Sequence, residues 1–584
     1  MERFLKVPLL LGGVLLLAGV LALGAPEFLA ARAEVMFRNP AGNIWLIYAY
    51  GLSLISLGIA ILTAPRNEKG TETGAAHTLA RVLLAFSLLL YFLALAAHLR
   101  GWWIDDAGIT FAYSRSLAEG RGLVAQTWLP PEEGYSSSVW MLLLSAAHAL
   151  GGDIPLTAKY VGIACSGAAM MLCLWALARE TRGTLTLATC GIALACAPTV
   201  VWAVSGQEHA LQSLILLLVV LCVYRFENWR WPVAVLLAVF VLPRPEAPII
   251  VIAIFCTAVY LTRRAGGRFI NAADAAVALV PFAAFWGLIA FRLVYFGDPM
   301  PNPFYAKSSG SGLIGLFNPL GAGWGYILSG LRDTTLFIVL GLVFLLPTRR
   351  QPAWILISAA VLIGQAVFVV WAKGDWMQHY RFLMPVLPIA LLLAALGLER
   401  LGSFTKRLAL CCVATLVLTQ TTVMQLATYA EQPTTPLSVV TEVGHTFKAL
   451  ADRLEIEDPL LAHHDAGGIA YYEMVRLVDL GGLINRAIGQ NMDDKDFLPA
   501  YLLEDARPDF VFGARNFAAL SGFSDTQAFK DAYVRLEFED MPLMRSDLSY
   551  IRRDLVTPGP GITVLRDDSG RLMQVTVRGL TPNA

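Results

Sequence analysis

The sequence predicts a polytopic α-helical membrane protein that ends in a soluble α/β domain. Of its 584 residues, 57% are hydrophobic and 15% charged, and the mean hydropathy is +0.60. Long apolar runs recur up to about residue 430, whereas charged residues become frequent from about Glu431 onward. The formal net charge of +0 offers no basic excess for a nucleic-acid backbone, so composition argues against nucleic acid as a partner.

The apolar runs predict about thirteen spans, because a helix needs roughly 20 apolar residues to cross a ~30 Å hydrocarbon core. Two of them flank Arg244-Pro245-Glu246, where proline ends one helix and the chain turns back. Val139–Leu150 is too short to span and is expected to lie in the interface or to re-enter. The predicted spans are 7–25, 44–64, 79–99, 156–178, 184–203, 209–224, 231–243, 246–262, 273–293, 334–347, 353–371, 381–398 and 408–428.

The basic residues predict the orientation, because cytoplasmic loops carry an excess of Lys and Arg. With the spans taken in order, the N-terminus is cytoplasmic, and the loop at 100–138 and the region after about 430 lie outside. Met1–Ala25 also resembles a signal peptide, whose removal would leave the remaining topology unchanged. The residues assigned to the cytoplasmic side are Arg3, Lys6, Arg66, Lys69, Arg179, Arg182, Arg225, Arg230, Arg263, Arg264, Arg268, Arg349, Arg350, Lys406 and Arg407.

Residues 431–584 are expected to form one extracytoplasmic α/β domain, since about 150 residues suit a single domain. Strand-like runs at 459–462, 476–479, 509–512 and 562–565 alternate with helix-like segments such as 439–454. All eight cysteines precede this region and lie in apolar segments without a CxxC pair. They therefore predict small buried hydrophobic side chains and neither a zinc site nor a disulfide framework.

Asp105 and Asp106 open the first long polar loop. Apolar residues then recur at helical spacing until Gly120, which predicts a short amphipathic helix lying on the membrane surface. One carboxylate could simply cap this helix by accepting a backbone N–H. The other reading is catalytic or metal-binding, and neighbouring side chains on a helix point about 100° apart, so at most one would face a substrate squarely.

Four further polar segments return to the predicted outer side, namely Ser205–His209, the turn at Arg244, Arg292–Lys307 and Lys373–Arg381. Each alone is also typical of a helix cap, a snorkelling cation or an interface anchor. Ionisable groups are costly near a membrane, so their return to one face favours a site at the membrane–exterior boundary.

Three classes of membrane protein could explain charged residues at one membrane face, and the sequence favours one of them. A secondary transporter would place charges near the midplane and show paired broken helices, whereas this sequence has one Pro-broken hairpin without a matching second. A receptor or anchor would need a cytoplasmic module, for which the cytoplasmic loops are too short. An enzyme acting on a lipid-borne substrate fits better, because the tail can lie among helices while its phosphate meets cations.

Five ordered stretches carry a family resemblance: DDAGITFAYSRSLAEGRGLV…EEGYSSSVWMLLL, SGQEHALQSLIL, LPRPEAPIIV, FRLVYFGDPMPNPFYAK and KGDWMQHYRFLMPVLPI. They resemble the polytopic glycosyltransferases of the GT-C fold, most closely the branch containing the mycobacterial terminal arabinofuranosyltransferases. The later DAGGIAYYEMVRLVDLGGL resembles the start of that branch's C-terminal domain, so the resemblance covers about 80–565. It implies a GT-C-like catalytic domain at 79–430, preceded by an additional transmembrane hairpin at 1–78.

The resemblance implies sugar transfer, with arabinofuranose favoured, from a polyprenyl-phosphate donor to a hydroxyl of a glycan, lipid or protein. The reaction would take place at the outer face of a bacterial cytoplasmic membrane, among membrane lipids; a transporter or flippase of a lipid-linked sugar is the alternative. This sequence departs from the family at His209, where a small residue is usual, and at Lys373-Gly374, where a glycine pair is usual.

The chemistry assigns roles to particular residues. Asp105 or Asp106 is expected to be the base, alone or through a divalent metal shared with Glu133, and no organic cofactor is expected. Arg244, Lys307 and Arg381 are expected to hold the departing phosphate. Residues expected to bind substrate are Glu133, Tyr135, Glu208, His209, Glu246, Asp298, Asn302, Tyr305, Asp375, Trp376 and His379; Trp102, Trp103, Tyr305 and Trp376 either line the sugar pocket or belong to an interfacial aromatic belt.

Overall fold

The computed structural model describes the chain in two compact units. The helical unit comprises Met1–Gly101, Lys159–Phe285 and Ser311–Thr434, and the sheet unit comprises Trp102–Ala158, Trp286–Gly310 and Thr435–Ala584. Each unit is therefore built from three separate chain segments. Within these bounds the described residues exclude 1, 25–42, 65–73, 182, 243, 245–246, 268–269, 309–320, 335–350, 401–402, 495, 514–522, 542–543, 545–547 and 581–584.

Apolar helices dominate the chain up to Glu431. In chain order they are α1 (Glu2–Gly24), α2 (Ile44–Leu62), α3 (Ala75–His98), α4 (Asp105–Ala118), α5 (Ser138–Ala149), α6 (Ile154–Glu180), α7 (Thr184–Leu194), α8 (Ala197–Val204), α9 (His209–Arg225), α10 (Arg230–Val241), α11 (Ala247–Arg264), α12 (Ala272–Tyr295), α13 (Asn302–Ser308), α14 (Ala322–Asp333), α15 (Ala353–Trp371), α16 (Leu387–Glu399) and α17 (Phe404–Glu431).

Among the described residues, seven helices are long and apolar enough to cross a membrane: α2, α3, α6, α11, α12, α15 and α17. The pair α7 and α8 adds an eighth if it is one span, bent by 50°, where Pro198 enters the first turn of α8. The predicted hairpin around Arg244 corresponds to α10 and α11. The number of about thirteen spans stays a prediction, since several predicted runs form shorter apolar helices and residues 335–347 of the run 334–347 lie outside the described residues.

The first two helices of the helical unit pack backbone to backbone. A Cβ added at Gly19 would lie 2.5 Å from the carbonyl oxygen of Gly51, and one at Gly58 would lie 2.9 Å from the carbonyl oxygen of Gly12. Small residues at such crossings allow helices in a membrane to approach closely. The predicted N-terminal hairpin is thus a tightly packed pair of helices.

In the described part of residues 435–584, seven strands form a mixed sheet: β1 (Leu460–His463), β2 (Arg476–Asp479), β3 (Phe510–Gly513), β4 (Tyr533–Phe538), β5 (Leu548–Arg552), β6 (Ile562–Arg566) and β7 (Leu572–Val577). Their order in the sheet is β2-β1-β3-β5-β4-β7-β6. The pairs β1–β2, β1–β3 and β4–β7 are parallel, and β3–β5, β4–β5 and β6–β7 are antiparallel. All four predicted strands are present. The helices of the same region are α18 (Leu437–Arg453), α19 (Gly467–Tyr472), α20 (Arg486–Gln490), α21 (Phe497–Ala500) and α22 (Gln527–Ala532).

Helix α18 buries one face against this sheet. Its Phe447 is fully buried, and its ring lies 5.1, 5.5 and 5.7 Å from the rings of Phe510, Phe512 and Phe538. Other buried residues of α18, including Val440, Val443 and Leu450, follow the helical period. Aromatic packing of this kind fixes α18 on the strands β3 and β4.

The polar loop that contains Asp105 and Asp106, called the acidic loop below (residues 102–138), belongs to the same unit as the sheet. The side-chain amide of Gln126 donates to the carbonyl of Val475 at 2.9 Å and its oxygen accepts from the N–H of Leu477 at 3.0 Å. Gln126 therefore satisfies backbone groups along the edge strand β2. Arg121 also contacts Glu473, with Nη1 lying 2.8 Å from Oε2.

Helix α4 begins at Asp105, as predicted, but the expectation that it lies on the membrane surface needs correction. Residues from both sides of α4 are buried, including Ala107, Ile109, Phe111 and Tyr113. The helix packs against α5, α18 and α19 within the sheet unit. Its small and apolar side chains pack against other elements of the protein, so α4 is an internal helix of this unit.

Candidate functional site

Asp105 is held by backbone donors from a segment far along the chain. Its Oδ2 accepts the N–H of Gly467 at 2.9 Å and its Oδ1 accepts the N–H of Gly468 at 2.8 Å, and the residue is only 3% exposed. Burial raises the pKa of Asp105 well above its ordinary value and nearby Asp465 adds to this, while the two N–H groups oppose it. The Asp105 carboxylate thus binds the backbone N–H groups at the start of α19. At the start of α4 itself, Ile104 makes no side-chain capping bond.

Glycine is required on both sides of this contact. A Cβ on Gly467 would lie 1.8 Å from the backbone oxygen of Asp105, and a Cβ on Gly108 would lie 2.5 Å from the carbonyl carbon of Gly467. Such distances are far below any real Cβ contact, so a side chain at either position would force the backbones apart. This close approach explains why residue 467 of DAGG and residue 108 of α4 are glycine.

Asp106 lies next to a second acidic group, supplied by the loop that follows β1. This half-buried Asp106 interacts electrostatically with Asp105 and Asp465. Burial and the charge of Asp106 raise the pKa of Asp465, and His464, whose Nε2 lies 3.6 Å from Asp465 Oδ2, acts in the opposite direction. The loop leaves the carboxyl end of a parallel strand, where α/β sheets often bind ligands.

Sequence reasoning missed His464 and Asp465 as site residues. Both precede the DAGG glycines at the end of a predicted strand, and this position was the signal in the sequence that could have identified them.

Asp479 ends the neighbouring strand β2 and accepts backbone N–H groups from Gly481, Leu483 and Ile484 at 2.8, 2.6 and 2.9 Å. Burial raises its pKa to about 6 despite these bonds.

Glu133 forms a buried ion pair with Arg292. Its two carboxylate oxygens accept from Arg292 Nη2 and Nε at 3.0 and 2.6 Å, and both residues are buried. The carbonyl oxygen of Glu133 also accepts the N–H of Asn302 at 2.8 Å. Burial raises the pKa of Glu133, and Arg292 counteracts this.

The predicted metal site finds no support in this arrangement. In the part of the chain that the structure describes, no three His, Cys, Asp or Glu side chains form a group that could hold a metal. Glu133 is occupied by Arg292, and both oxygens of Asp105 accept backbone N–H groups. Sharing of a divalent metal by Asp105, Asp106 and Glu133 therefore stays a prediction without geometric support.

Three other predicted substrate residues form a polar network within the sheet unit. Asp298 accepts the hydroxyl of Tyr305 at 2.6 Å and the side-chain N–H of Gln490 at 2.8 Å, and Asn302 donates to Glu132 at 3.3 Å. Burial and the adjacent Asp298 raise the pKa of Tyr305 to about 12. These contacts join residues 298–305 to α20 and to the acidic loop.

The predicted aromatic residues divide between buried and exposed positions. Tyr135 is buried with its ring 5.0 Å from that of Tyr113. Trp102 is also buried, and Trp103 donates its Nε1–H to the carbonyl of Pro155 at 3.0 Å. Trp376, by contrast, is 71% exposed.

Arg244 and Arg381 lie against the same aromatic ring in the helical unit. Their guanidinium carbons are 5.7 and 5.1 Å from the ring centroid of Phe382, within the range of cation–π attraction. Each is paired with a carboxylate: Arg244 Nη1 lies 3.3 Å from Glu208, and Arg381 Nε lies 2.6 Å from Asp375. All four side chains are buried.

The loop that carries Asp375 and Arg381 has an unusual backbone. Lys373, His379 and Tyr380 have φ values of 60°, 59° and 48°, a region that non-glycine residues rarely adopt. Trp202 stabilises the loop by donating its Nε1–H to the carbonyl of His379 at 2.7 Å. Strained backbone held by surrounding contacts is typical of functional sites.

The remaining predicted residues are placed as follows. His209 is buried, with its ring 5.1 Å from that of Trp202, and the ring of His379 lies 4.6 Å from that of Tyr429. Glu246 and the side chain of Lys307 lie outside the described residues. The structure thus brings Arg244 together with Arg381, and Asp105 together with Asp106.

Comparison with solved structures identifies relatives of this architecture. ArnT from Cupriavidus metallidurans bound to undecaprenyl phosphate superimposes with a TM-score of 0.52 at 14% identity, covering 83% of this chain and 100% of that chain. The apo form of the same protein gives a TM-score of 0.51 at 15% identity, covering 83% and 99%. The chain shares the fold of ArnT. The predicted GT-C-like fold class, with apolar spans and a C-terminal sheet domain, is thereby confirmed.

Other comparisons are less informative. The Archaeoglobus fulgidus oligosaccharyltransferase in the apo form gives a TM-score of 0.46 at 11% identity, covering 77% of this chain and 72% of that chain, too low to support an inference. Residues 428–554 match a family model described as a domain of unknown function (DUF8728). No curated protein matches the chain.

Proposed function

We propose that this protein is a membrane glycosyltransferase that moves a sugar from a polyprenyl-phosphate donor to an acceptor hydroxyl. The observation that carries the proposal is the buried arginine pair, Arg244 and Arg381, on the ring of Phe382. The fold is shared with ArnT, which has been crystallised bound to undecaprenyl phosphate. Arabinofuranose is the favoured sugar, and a glycan, lipid or protein at the outer face of a bacterial cytoplasmic membrane is the acceptor.

The arginine pair suits the leaving group of this reaction. As the bond between the anomeric carbon and the phosphate oxygen breaks, its electron pair stays on the lipid phosphate and negative charge develops there. A planar guanidinium binds phosphate oxygens through two parallel N–H bonds. Glu208 and Asp375 would hold Arg244 and Arg381 in a fixed orientation before the donor binds.

Asp106 is proposed as the general base. It would accept the proton of the acceptor hydroxyl while the hydroxyl oxygen attacks the anomeric carbon. Position along the chain alone favours Asp105, which lies nearer the preceding span. Asp106 is preferred because both oxygens of Asp105 already accept N–H bonds, whereas Asp106 is half-buried and exposes part of its surface.

The test is acceptor-dependent cleavage of a lipid-linked sugar. Purified full-length protein in nanodiscs is given polyprenyl-phosphate arabinofuranose, or a hexose analogue, with and without a glycan acceptor. Release of polyprenyl phosphate and a longer glycan are expected only when acceptor is present, apart from slow hydrolysis. Movement of the donor across a sealed bilayer without cleavage would instead support the transporter alternative. Mass spectrometry of surface glycans from a deletion strain would identify the missing sugar.

A further inference from the structure

The start of α4 is fixed to the sheet domain by main-chain bonds. The N–H of Asp105 donates to the carbonyl of Thr435 at 2.9 Å, and the N–H of Leu437 donates to the carbonyl of Trp103 at 2.9 Å. Ile104 forms an antiparallel bridge with Pro436. Residues 103–105 are therefore paired with residues 435–437, as in a short two-stranded ribbon.

A second attachment is made by the Asp105 carboxylate. One oxygen binds the N–H of Gly467 and the other binds the N–H of Gly468, at 2.9 and 2.8 Å. Two N–H donors on separate oxygens favour the ionised form, because an added proton would oppose one of them, and they thereby counteract the effect of burial on the pKa of this carboxyl. The contact is closed by the direct backbone approach of Gly467 to Asp105 and Gly108. We call this set of contacts the Asp105 clamp.

We propose that Asp105 is a positioning residue: the clamp holds the loop His464–Gly468 against the start of α4 and thereby fixes the carboxylate of Asp106. This inference rests on the proposed function, in which Asp106 takes the proton. A base must reach the acceptor hydroxyl, and Asp105 is buried with both oxygens in use. The adjacent Asp106 points about 100° away along the helix and lies beside Asp465.

Two substitutions of the same residue separate positioning from base catalysis. Asp105→Asn keeps one oxygen that can accept an N–H bond, whereas Asp105→Ala keeps none. A clamp predicts a graded loss of transfer, roughly tenfold for Asp105→Asn, as for one lost charge-assisted hydrogen bond, and more for Asp105→Ala. A base predicts equal losses of about 100-fold or more, because neither variant retains a proton acceptor.

The pH dependence of the residual activity gives a readout that loss of structure would not reproduce. If Asp106 is the base, the rate of Asp105→Asn should still fall at acid pH in the same range as the wild type. Asp106→Asn should lose transfer by about 100-fold or more while retaining donor binding. If Asp105 is the base, the residual rate of Asp105→Asn should lose that acid dependence.

Gly467→Ala tests the clamp without removing either carboxylate. The Cβ of the new alanine would lie 1.8 Å from the backbone oxygen of Asp105, so the clamp has to open. Transfer should fall about as far as in Asp105→Asn, and the amides of residues 467–472 should exchange faster in both variants. Gly559→Ala is the control, since a Cβ there meets no atom within 4 Å.

Asp567→Asn controls for the loss of a carboxylate that binds backbone N–H groups. Asp567 accepts from Ser569 and Arg571 at 3.0 and 2.9 Å in an exposed turn of the same unit, and its replacement should leave transfer unchanged.

Equal losses of transfer in Asp105→Asn and Asp105→Ala, with normal hydrogen exchange in residues 467–472, would overturn the positioning role. If wild-type protein shows no acceptor-dependent cleavage, the proposed function fails instead, while unchanged exchange in Asp105→Asn would refute the clamp independently.

Discussion

Arg381 and Arg244 make the proposed phosphate contact testable at single residues. Arg381→Lys keeps the charge but loses the planar fork, and Arg381→Gln loses both, so transfer should fall in that order. We expect roughly a hundredfold loss for Arg381→Gln, the size associated with removal of one group that stabilises developing charge. The measurement is turnover of polyprenyl-phosphate sugar at saturating acceptor.

The matched control for Arg381 is Arg230→Lys in the same unit. Arg230 pairs with Asp274, which is fully buried, and donates to Thr262 at 2.8 Å, so it also makes an Arg–carboxylate contact inside the protein. Its replacement should leave turnover within about twofold, because the remaining charge still pairs with Asp274. Similar losses in the Arg230 and Arg381 variants would show that the effect comes from folding and would remove Arg381 from the phosphate site.

Glu133 and Arg292 give a second prediction, about stability. Because both are buried, removal of one partner leaves an uncompensated charge, and Glu133→Gln or Arg292→Met should cost about 3–5 kcal/mol. The double variant Glu133→Leu with Arg292→Met should recover most of that loss, since an apolar pair of similar volume replaces the ion pair. Thermal unfolding of the full-length protein in detergent measures both effects.

A role for Glu133 in substrate or metal binding makes a different prediction. The double variant would then regain stability without regaining transfer. Recovery of both would assign Glu133 to structure alone. The two measurements on one set of variants therefore decide the predicted substrate role of this carboxylate.

At the scale of single residues, the sequence allows candidate residues to be selected, and their roles stay predictions. Asp105, Asp106, Arg244 and Arg381 were selected because charged groups near a membrane boundary are costly. Their partners were not predictable. Asp105 binds Gly467 across 362 residues of chain, and no spacing rule reaches so far.

At the scale of elements, β1 carries a pH-sensitive group. Burial lowers the pKa of His463 to about 3, with the neighbouring His464 acting in the same direction, and its Nδ1–H donates to the carbonyl of Phe512 on β3 at 2.8 Å. The unfolded chain binds a proton near pH 6.5 and the folded chain does not. Stability should therefore fall as the pH drops below 6.5, by roughly 1.4 kcal/mol per unit.

His463→Gln isolates this effect, because glutamine can still donate an N–H to Phe512 but does not titrate. Hydrogen exchange at residues 460–463 and 510–513, corrected for the intrinsic rate, should lose most of its pH dependence between 6.5 and 4.5 in this variant. His445→Gln on α18 controls for the loss of an imidazole. An unchanged pH dependence in His463→Gln would place the titrating group elsewhere.

The predictability of elements followed the length and regularity of their patterns. The strands β1, β2, β3 and β6 and the helix α18 were predicted from apolar alternation and periodicity. The strands β4, β5 and β7 were missed, although YVRLEF of β4 alternates between buried and more exposed side chains. The burial of α4 was missed because its contacts come from α5, α18 and α19, which only the folded chain brings together.

At the scale of the whole molecule, the predicted domain boundary near 431 lies close to Thr435, where the last segment of the sheet unit begins. Sequence patterns did not indicate that Trp102–Ala158 and Trp286–Gly310 belong to the same unit. The reason is physical: these segments join the sheet domain through specific pairs such as Gln126 with Val475, whereas hydropathy changes only where long apolar runs end.

The orientation of the molecule is the prediction on which its proposed reaction depends. Basic residues of the N-terminal segment and of six loops agree on one side, and cytoplasmic loops carry such an excess because positive residues are retained there during insertion. Alkaline phosphatase fused after Leu437 or Leu580 should therefore be exported and active, whereas a fusion at Lys69 should be inactive and a fluorescent reporter at Lys69 should be bright. Two fusion points near the C-terminal domain guard against an artefact of truncating α18. The opposite pattern would place Asp105 and Asp106 in the cytoplasm, where an extracytoplasmic glycan acceptor is absent, and transfer at the outer membrane face would have to be abandoned.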